Sequence, residues 1–146
     1  MKIVILSDQY RGSYHILGNL YERSLNCIRE VIHLPTPSSQ EERDALDCRG
    51  AIILHNTLGE GFVPIKGCYN IAMPLHEWSE YPRDWIGNLN RFDEIWVSTE
   101  HIRALLSRGG LVPPSFFMPP ALNNENFILK SSWEIRGKPK FFFVGE

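Results

Sequence analysis

Short apolar runs recur along this sequence, separated by segments in which apolar residues follow helical spacing. The first run, KIVILS, is apolar at four consecutive positions and closes at Asp8. A strand buried on both faces of a parallel sheet has this composition, whereas a half-exposed strand alternates apolar with polar residues. We therefore predict an α/β fold, a Rossmann-like and mainly parallel sheet with helices on both faces. The predicted strands are 2–7, 31–34, 51–55, 70–75, 93–98, 115–120 and 140–146.

Helical segments are predicted between these strands. Apolar residues between 16 and 28 recur every three or four positions, which predicts a helix capped by Ser13. A short helix is expected within 36–47, and another directly after Pro82, because proline suits the first turn of a helix. The helix after the fifth strand is predicted to begin with Ser98 as its N-cap.

Composition limits the class of protein. With 146 residues, 43% of them hydrophobic, the chain can bury one core, and we predict a single soluble domain. A formal net charge of -2 without a basic cluster gives nucleic acid no binding surface, so nucleic acid is not expected as a partner. The absence of a membrane-length apolar run or a signal peptide predicts a cytoplasmic location, with peripheral membrane association left open. Three widely spaced cysteines without a C-x-x-C pair favour reduced thiols over disulfides or zinc.

A ligand site is predicted at one edge of the sheet. In parallel α/β folds, ligands bind beyond the carboxyl ends of the strands, where the connecting loops meet. Three unusual polar segments fall there: DQYRGSYH after the first strand, HN after the third and HEWSEYP after the fourth. Their convergence at this edge is the basis of the predicted site.

The first segment leads into a helix N-terminus, where free backbone N–H groups and the helix dipole attract a phosphate or carboxylate. A glycine in it lets the backbone approach such a ligand closely. An ordinary capped turn is the alternative, since one glycine is no phosphate-binding fingerprint. The predicted substrate-binding residues are Arg11, Gly12, Ser13, Tyr14 and His15.

The other two segments supply further candidates. His76 and Glu77 directly follow a predicted buried strand, where burial tunes pKa values toward general acid or base work. Trp78 offers a flat face to a sugar ring, and His55 and Asn56 are added as substrate-binding residues. Purely structural roles are the alternative for these histidines and aromatic residues. No metal-ligand spacing connects them, so no metal is predicted, and the lack of a G-x-S-x-G motif weakens a hydrolase.

An ordered series of motifs occupies the second half of the chain. The series consists of Asn90, DEIWVST (93–99), Gly109-Gly110, MPPALN (118–123), Phe127 and KFFFVGE (140–146). In this order and spacing it resembles the first half of a GT-B glycosyltransferase, in particular the family 4-like enzymes.

The resemblance implies that the complete protein transfers a sugar from a nucleotide-sugar to a glycan, lipid or protein, with retention and without an essential metal or other cofactor. It implies an acceptor-side domain over 1–122, an interdomain linker over 123–139 and, from 140, the first strand of a C-terminal donor-binding domain. The chain alone is then expected to be inactive and, because its linker is partly apolar, to self-associate.

The same resemblance gives the candidate residues their roles. His76 and Glu77 are expected to orient the acceptor hydroxyl, and Trp78 and Tyr14 to stack on a sugar. Ser98 and Thr99, which end the DEIWVST motif, are added as substrate-binding residues. Two alternatives stay open: a stand-alone module that binds a glycan or an anion without catalysis, and a flavodoxin- or receiver-like domain that uses Asp8.

Overall fold

The computed structural model describes residues 2–8, 12–75 and 79–120. Within these ranges strands and helices alternate along the chain. In chain order they are β1 Ile3–Ser7, α1 Ser13–Asn26, β2 Val31–Pro35, α2 Gln40–Asp44, β3 Ile52–Asn56, a 3₁₀ turn Gly59–Gly61, β4 Tyr69–Ala72, α3 Arg83–Leu89, β5 Glu94–Val97, α4 Glu100–Arg108 and β6 Ser115–Phe117.

The predicted α/β class is confirmed, since these six strands form one open sheet in the order β2-β1-β3-β4-β5-β6. Every pair of neighbouring strands is parallel. From β1 the chain moves outward to β2, whereas β3 returns to the other side of β1. This reversal of strand order creates a topological switch point between β1 and β3. The predicted linker 123–139 and the predicted strand 140–146 lie outside the described residues.

Helices cover both faces of the sheet, as predicted. Successive strand residues point to opposite faces. On β4, Ile71 belongs to a cluster with Tyr21 of α1, whereas Ala72 belongs to a cluster with Leu89 of α3 and Leu106 of α4. The sheet is therefore the middle layer, and its helices fix where the connecting loops emerge.

Two helices begin one residue away from the predicted position. Gly12, rather than Ser13, is the N-cap of α1, because its extended backbone (φ -135°, ψ 177°) leaves Ser13 as the first helical residue. Thr99, rather than Ser98, caps α4, where its Oγ1 accepts a hydrogen bond of 3.1 Å from the Ile102 N–H. Both predictions of the capping residue were wrong, although both helices exist.

Gly18 allows α1 to lie close to the sheet. A Cβ atom at this position would lie 2.7 Å from Ser7 Oγ and 2.8 Å from His33 Nε2. We expect Gly18→Ala to lower the free energy of unfolding by about 2 kcal/mol, because the overlap with two buried side chains outweighs the better helix propensity of alanine. Urea unfolding followed by circular dichroism measures this change.

Gly87 on α3 provides the matched control. A Cβ atom there meets nothing within 4 Å. Gly87→Ala is therefore expected to raise the free energy of unfolding by about 0.5–1 kcal/mol, through helix propensity alone. Equal changes in the free energy of unfolding for the two substitutions would show that the close approach of α1 to the sheet at Gly18 does not affect stability.

Candidate functional site

The carboxyl ends of the strands bring separate parts of the sequence to one edge of the sheet. Ser7 and Asn56 end β1 and β3 and are paired in the parallel register. Both side chains are fully buried, whereas Asp8, the next residue after Ser7, is exposed. The switch point is thus flanked by two enclosed polar groups and one exposed carboxyl group.

The N-terminus of α1 lies beside this switch point. Gly12 and Ser13 are exposed, and no side chain in the described ranges caps the first turn. The first turn, Ser13 to His15, contains no acidic residue. The N-terminal N–H groups and the positive end of the dipole of a 14-residue helix therefore face the edge, which suits an anionic group. Arg11, predicted to join them, lies outside the described residues.

Asn56 connects the end of β3 to α1. Its Nδ2 donates a hydrogen bond of 2.6 Å to the carbonyl oxygen of Tyr14, in the first turn of the helix. Its Oδ1 is enclosed and has no hydrogen-bond partner among the described residues. A buried amide with one unmatched acceptor is uncommon, and it lies directly beneath the open helix end. The structure therefore brings together four predicted residues: Gly12, Ser13, Tyr14 and Asn56.

A second polar cluster lies beneath α1, and of its residues only His15 was predicted to belong to a site. Ser7 Oγ and His33 Nε2 are 2.5 Å apart, and His33 Nδ1 lies 3.1 Å from a carboxylate oxygen of Glu22. The His15 ring stacks on His33 with centroids 6.3 Å apart, and its Nε2 is 3.0 Å from the Asn19 amide. The serine, the histidine and the glutamate come from β1, β2 and α1, so local sequence pattern could not reveal their contact.

This serine, histidine and glutamate are arranged like the relay of a serine hydrolase, but Ser7 is 0% exposed. A nucleophilic hydroxyl must reach a substrate carbonyl, with oxyanion donors around it. An enclosed hydroxyl cannot do so. The three residues instead link α1 to β1 and β2, and so hold the helix end in place at the edge.

His55 lies on the opposite face of the sheet from the Ser7–His33–Glu22 cluster. It is 1% exposed, its Nε2 lies 3.0 Å from Asn70 Oδ1, and its ring makes an edge contact with Phe92 at 4.8 Å. Burial lowers the pKa of His55 to about 4, so the ring is neutral. It occupies the core on the face opposite α1, and we do not include it in the candidate site.

Ser98 and Thr99 lie at the end of β5. The Thr99 hydroxyl is used to cap α4. Ser98 lines a narrow apolar cleft with Tyr21 of α1, Met73 after β4 and Met118 after β6. This cleft continues the carboxyl edge away from the switch point, so Ser98 and Thr99 belong to the edge but not to the group around Asn56. His76, Glu77 and Trp78 lie outside the described residues, and their roles stay predictions.

Asp93 of the DEIWVST motif and Asn90 before it hold the fold together. An Asp93 carboxylate oxygen accepts a hydrogen bond of 2.7 Å from the Asn70 N–H of β4. Asn90 donates to the Gly110 carbonyl at 3.1 Å and accepts from the Val112 N–H at 2.8 Å. These contacts position β5 and α4 rather than forming part of a ligand pocket.

Comparison with known proteins adds no family to this description. No family model matches the sequence, and no curated protein matches it. In the described part of the chain, no group of three histidine, cysteine or acidic residues could hold a metal ion. Within the same ranges, none of the helices has both the length and the apolar character needed to span a bilayer. The class supported is therefore an α/β domain with a Rossmann-like, all-parallel sheet.

Proposed function

We propose that this chain is the acceptor-side, N-terminal portion of a GT-B-type glycosyltransferase, and that the carboxyl edge of its sheet forms one wall of the substrate cleft. The observation that carries the proposal is the open N-terminus of α1 at the switch point, directly above the buried Asn56 amide. A nucleotide-sugar presents a diphosphate, which free helix N–H groups bind well. The ordered motif series of the sequence adds the resemblance to this class of enzyme.

The chemistry assigned to this edge is electrostatic. Cleavage of a nucleotide-sugar leaves negative charge on the departing diphosphate, and preorganised donors that face this charge lower the barrier. The N-terminal N–H groups of α1 are such donors, and the Ser7–His33–Glu22 cluster keeps this helix in place. Further cations would come from a donor-binding domain. His76 and Glu77 remain the candidates for orienting the acceptor. The expectation that the sugar is transferred with retention of configuration and without a metal rests on the resemblance alone.

A substitution at the N-cap tests the proposal. Gly12→Asp is expected to raise the KM for the nucleotide-sugar about tenfold in the complete protein, because a carboxylate at the helix end repels the diphosphate. The backbone of Gly12 is extended and suits any residue, and aspartate is a favourable N-cap, so the fold is retained. Release of nucleoside diphosphate at varied donor concentration measures the KM.

Gly12→Asn is the matched control, because asparagine caps a helix equally well without adding charge. Its side-chain oxygen competes with the diphosphate for the same N–H groups but does not repel it, so its KM is expected to rise less than that of Gly12→Asp. Equal KM values for the two variants would contradict diphosphate binding at this helix. If the complete protein releases no nucleoside diphosphate from any donor, while the chain binds inorganic phosphate or an oligosaccharide, the non-catalytic binding module replaces the transferase.

A further inference from the structure

Two free thiols meet at the opposite, amino edge of the sheet. The sulfur atoms of Cys48 and Cys68 are 3.6 Å apart, and the Cys68 thiol donates a hydrogen bond of 2.9 Å to the Cys48 carbonyl. Cys48 is buried and Cys68 is half-buried, whereas Cys27 is exposed. The prediction of reduced thiols gave no indication that two of them are neighbours.

The backbone holds these two thiols side by side. Gly50 donates a hydrogen bond of 2.8 Å to the Gly67 carbonyl, and Tyr69 donates one of 2.9 Å to the Ala51 carbonyl. Gly50 and Gly67 have φ values of 75° and 79°, which glycine adopts without strain. A disulfide needs sulfur atoms about 2.05 Å apart, so a sulfur displacement of roughly 1.5 Å closes the bond.

A cationic cleft of about 430 Å³ is lined by sequence neighbours of the two cysteines, although neither cysteine is itself among its lining residues. Its lining includes Arg49, which follows Cys48, and Lys66, which lies two residues before Cys68. Arg43 of α2 contributes a third cation, and Asp44 the only carboxylate among the lining residues. The formal net charge of the chain is -2, so this concentration of positive charge is local, and it favours an anionic ligand. The Asp44 carboxylate favours a ligand that also carries an ammonium group.

We propose that Cys48 and Cys68 form a redox-active dithiol, oxidised by a small disulfide whose carboxylates bind the cationic cleft. Glutathione disulfide has the required chemistry, since it carries carboxylate and ammonium groups on either side of its sulfur–sulfur bond. The chemical class is therefore an anionic, low-molecular-weight disulfide. This site is independent of the function proposed for the carboxyl edge.

The reaction proceeds in two exchange steps. The Cys68 thiol loses its proton to water, and its thiolate attacks one sulfur of the small disulfide, which forms a mixed disulfide and releases one small thiolate. The Cys48 thiol then loses its proton and its thiolate attacks Cys68 Sγ, which releases the second small thiolate and leaves the Cys48–Cys68 disulfide. The two protein thiols are oxidised, and the small disulfide is reduced to two thiols.

The order of the two steps follows from exposure. Cys68 is the more exposed of the two residues, so it meets the small disulfide first. Burial raises the pKa of Cys48 to about 11, which makes it a poor first nucleophile. Its neighbouring position compensates in the second step, because that attack is intramolecular.

The test uses the full chain with Cys27→Ser, so that the exposed thiol cannot react. Intact mass spectrometry under native conditions is expected to show loss of two hydrogen atoms after treatment with glutathione disulfide. With Cys68→Ser added, no oxidation is expected. With Cys48→Ser added, the reaction should stop at a mixed disulfide on Cys68. If Cys48→Ser does not fold, the Cys68→Ser variant and the charge variant below still decide the matter.

The role of the cleft is tested by charge reversal. Arg49→Glu with Lys66→Glu is expected to slow oxidation by glutathione disulfide about tenfold, and to leave oxidation by the uncharged bis(2-hydroxyethyl) disulfide unchanged. Equal slowing with both reagents, or no slowing, would overturn recruitment by the cleft. A mixed disulfide that persists in the presence of Cys48 would overturn the dithiol itself.

Discussion

Asn70→Ala is expected to lower the free energy of unfolding by about 4 kcal/mol, because the Asn70 amide satisfies four buried or half-buried groups. Its Nδ2 donates to the carbonyl oxygens of Ile65 and Cys68, each at 3.0 Å. Its Oδ1 accepts from the Ile65 N–H at 2.7 Å and lies 3.0 Å from His55 Nε2. Alanine would leave these partners without a bond in a site that is 4% exposed. Chemical unfolding followed by circular dichroism measures the loss.

Asn90→Ala is the matched control for this prediction. Asn90 also bonds two backbone groups, Gly110 and Val112, but these contacts are exposed, so water can replace the lost amide. We expect a loss of at most about 1 kcal/mol. A similar loss for both variants would mean that burial of the Asn70 amide does not determine its contribution.

The second large effect is a dependence of stability on pH that arises from His55. Asn70 Oδ1 also accepts from the Ile65 N–H, so it is the acceptor toward His55, and His55 Nε2 carries the hydrogen. Burial lowers the pKa of His55 from 6.5 to about 4 in the folded state. The unfolded state therefore binds more protons between these values, so stability is complete above pH 6.5 and is lost as the pH falls toward 4. The expected loss is roughly 3 kcal/mol.

His55→Gln isolates this contribution, because glutamine can still donate to Asn70 but does not titrate. The free energies of unfolding of the two proteins should run parallel above pH 6.5 and diverge by roughly 3 kcal/mol on approach to pH 4, with the unaltered protein losing more. Unfolding in urea at several pH values gives both curves. Parallel curves across the whole range would exclude His55 as the source.

The strands could be predicted from sequence because burial on both faces of the sheet requires consecutive apolar residues, which a short segment shows directly. All six predicted strands within the described ranges exist, with ends shifted by a few residues. In β4 the strand ends at Ala72 although the apolar run continues to Leu75. Met73 and Leu75 are apolar because they pack against the α1 side of the sheet after the strand has ended. Apolar character thus indicates burial, and a residue can be buried without taking part in the hydrogen bonds between strands.

The roles of individual histidines could not be predicted in the same way. His33 and His55 both lie in apolar runs, and their local sequences do not distinguish them. His33 faces α1 and meets Ser7, whereas His55 faces the opposite side and meets Asn70. The face that each residue presents depends on the strand register, and the partner depends on which element covers that face.

The succession of strands and helices and the α/β class follow from local sequence, because apolar periodicity and turn residues act over a few positions. The strand order, the helix end above Asn56, the Ser7–His33 contact and the proximity of Cys48 to Cys68 depend on the assembled fold. Ser7 and His33 are separated by 26 positions, and Asn56 and Tyr14 by 42. Such contacts form only when the sheet has assembled, because the free energy that stabilises them comes from burial that no single segment can achieve alone.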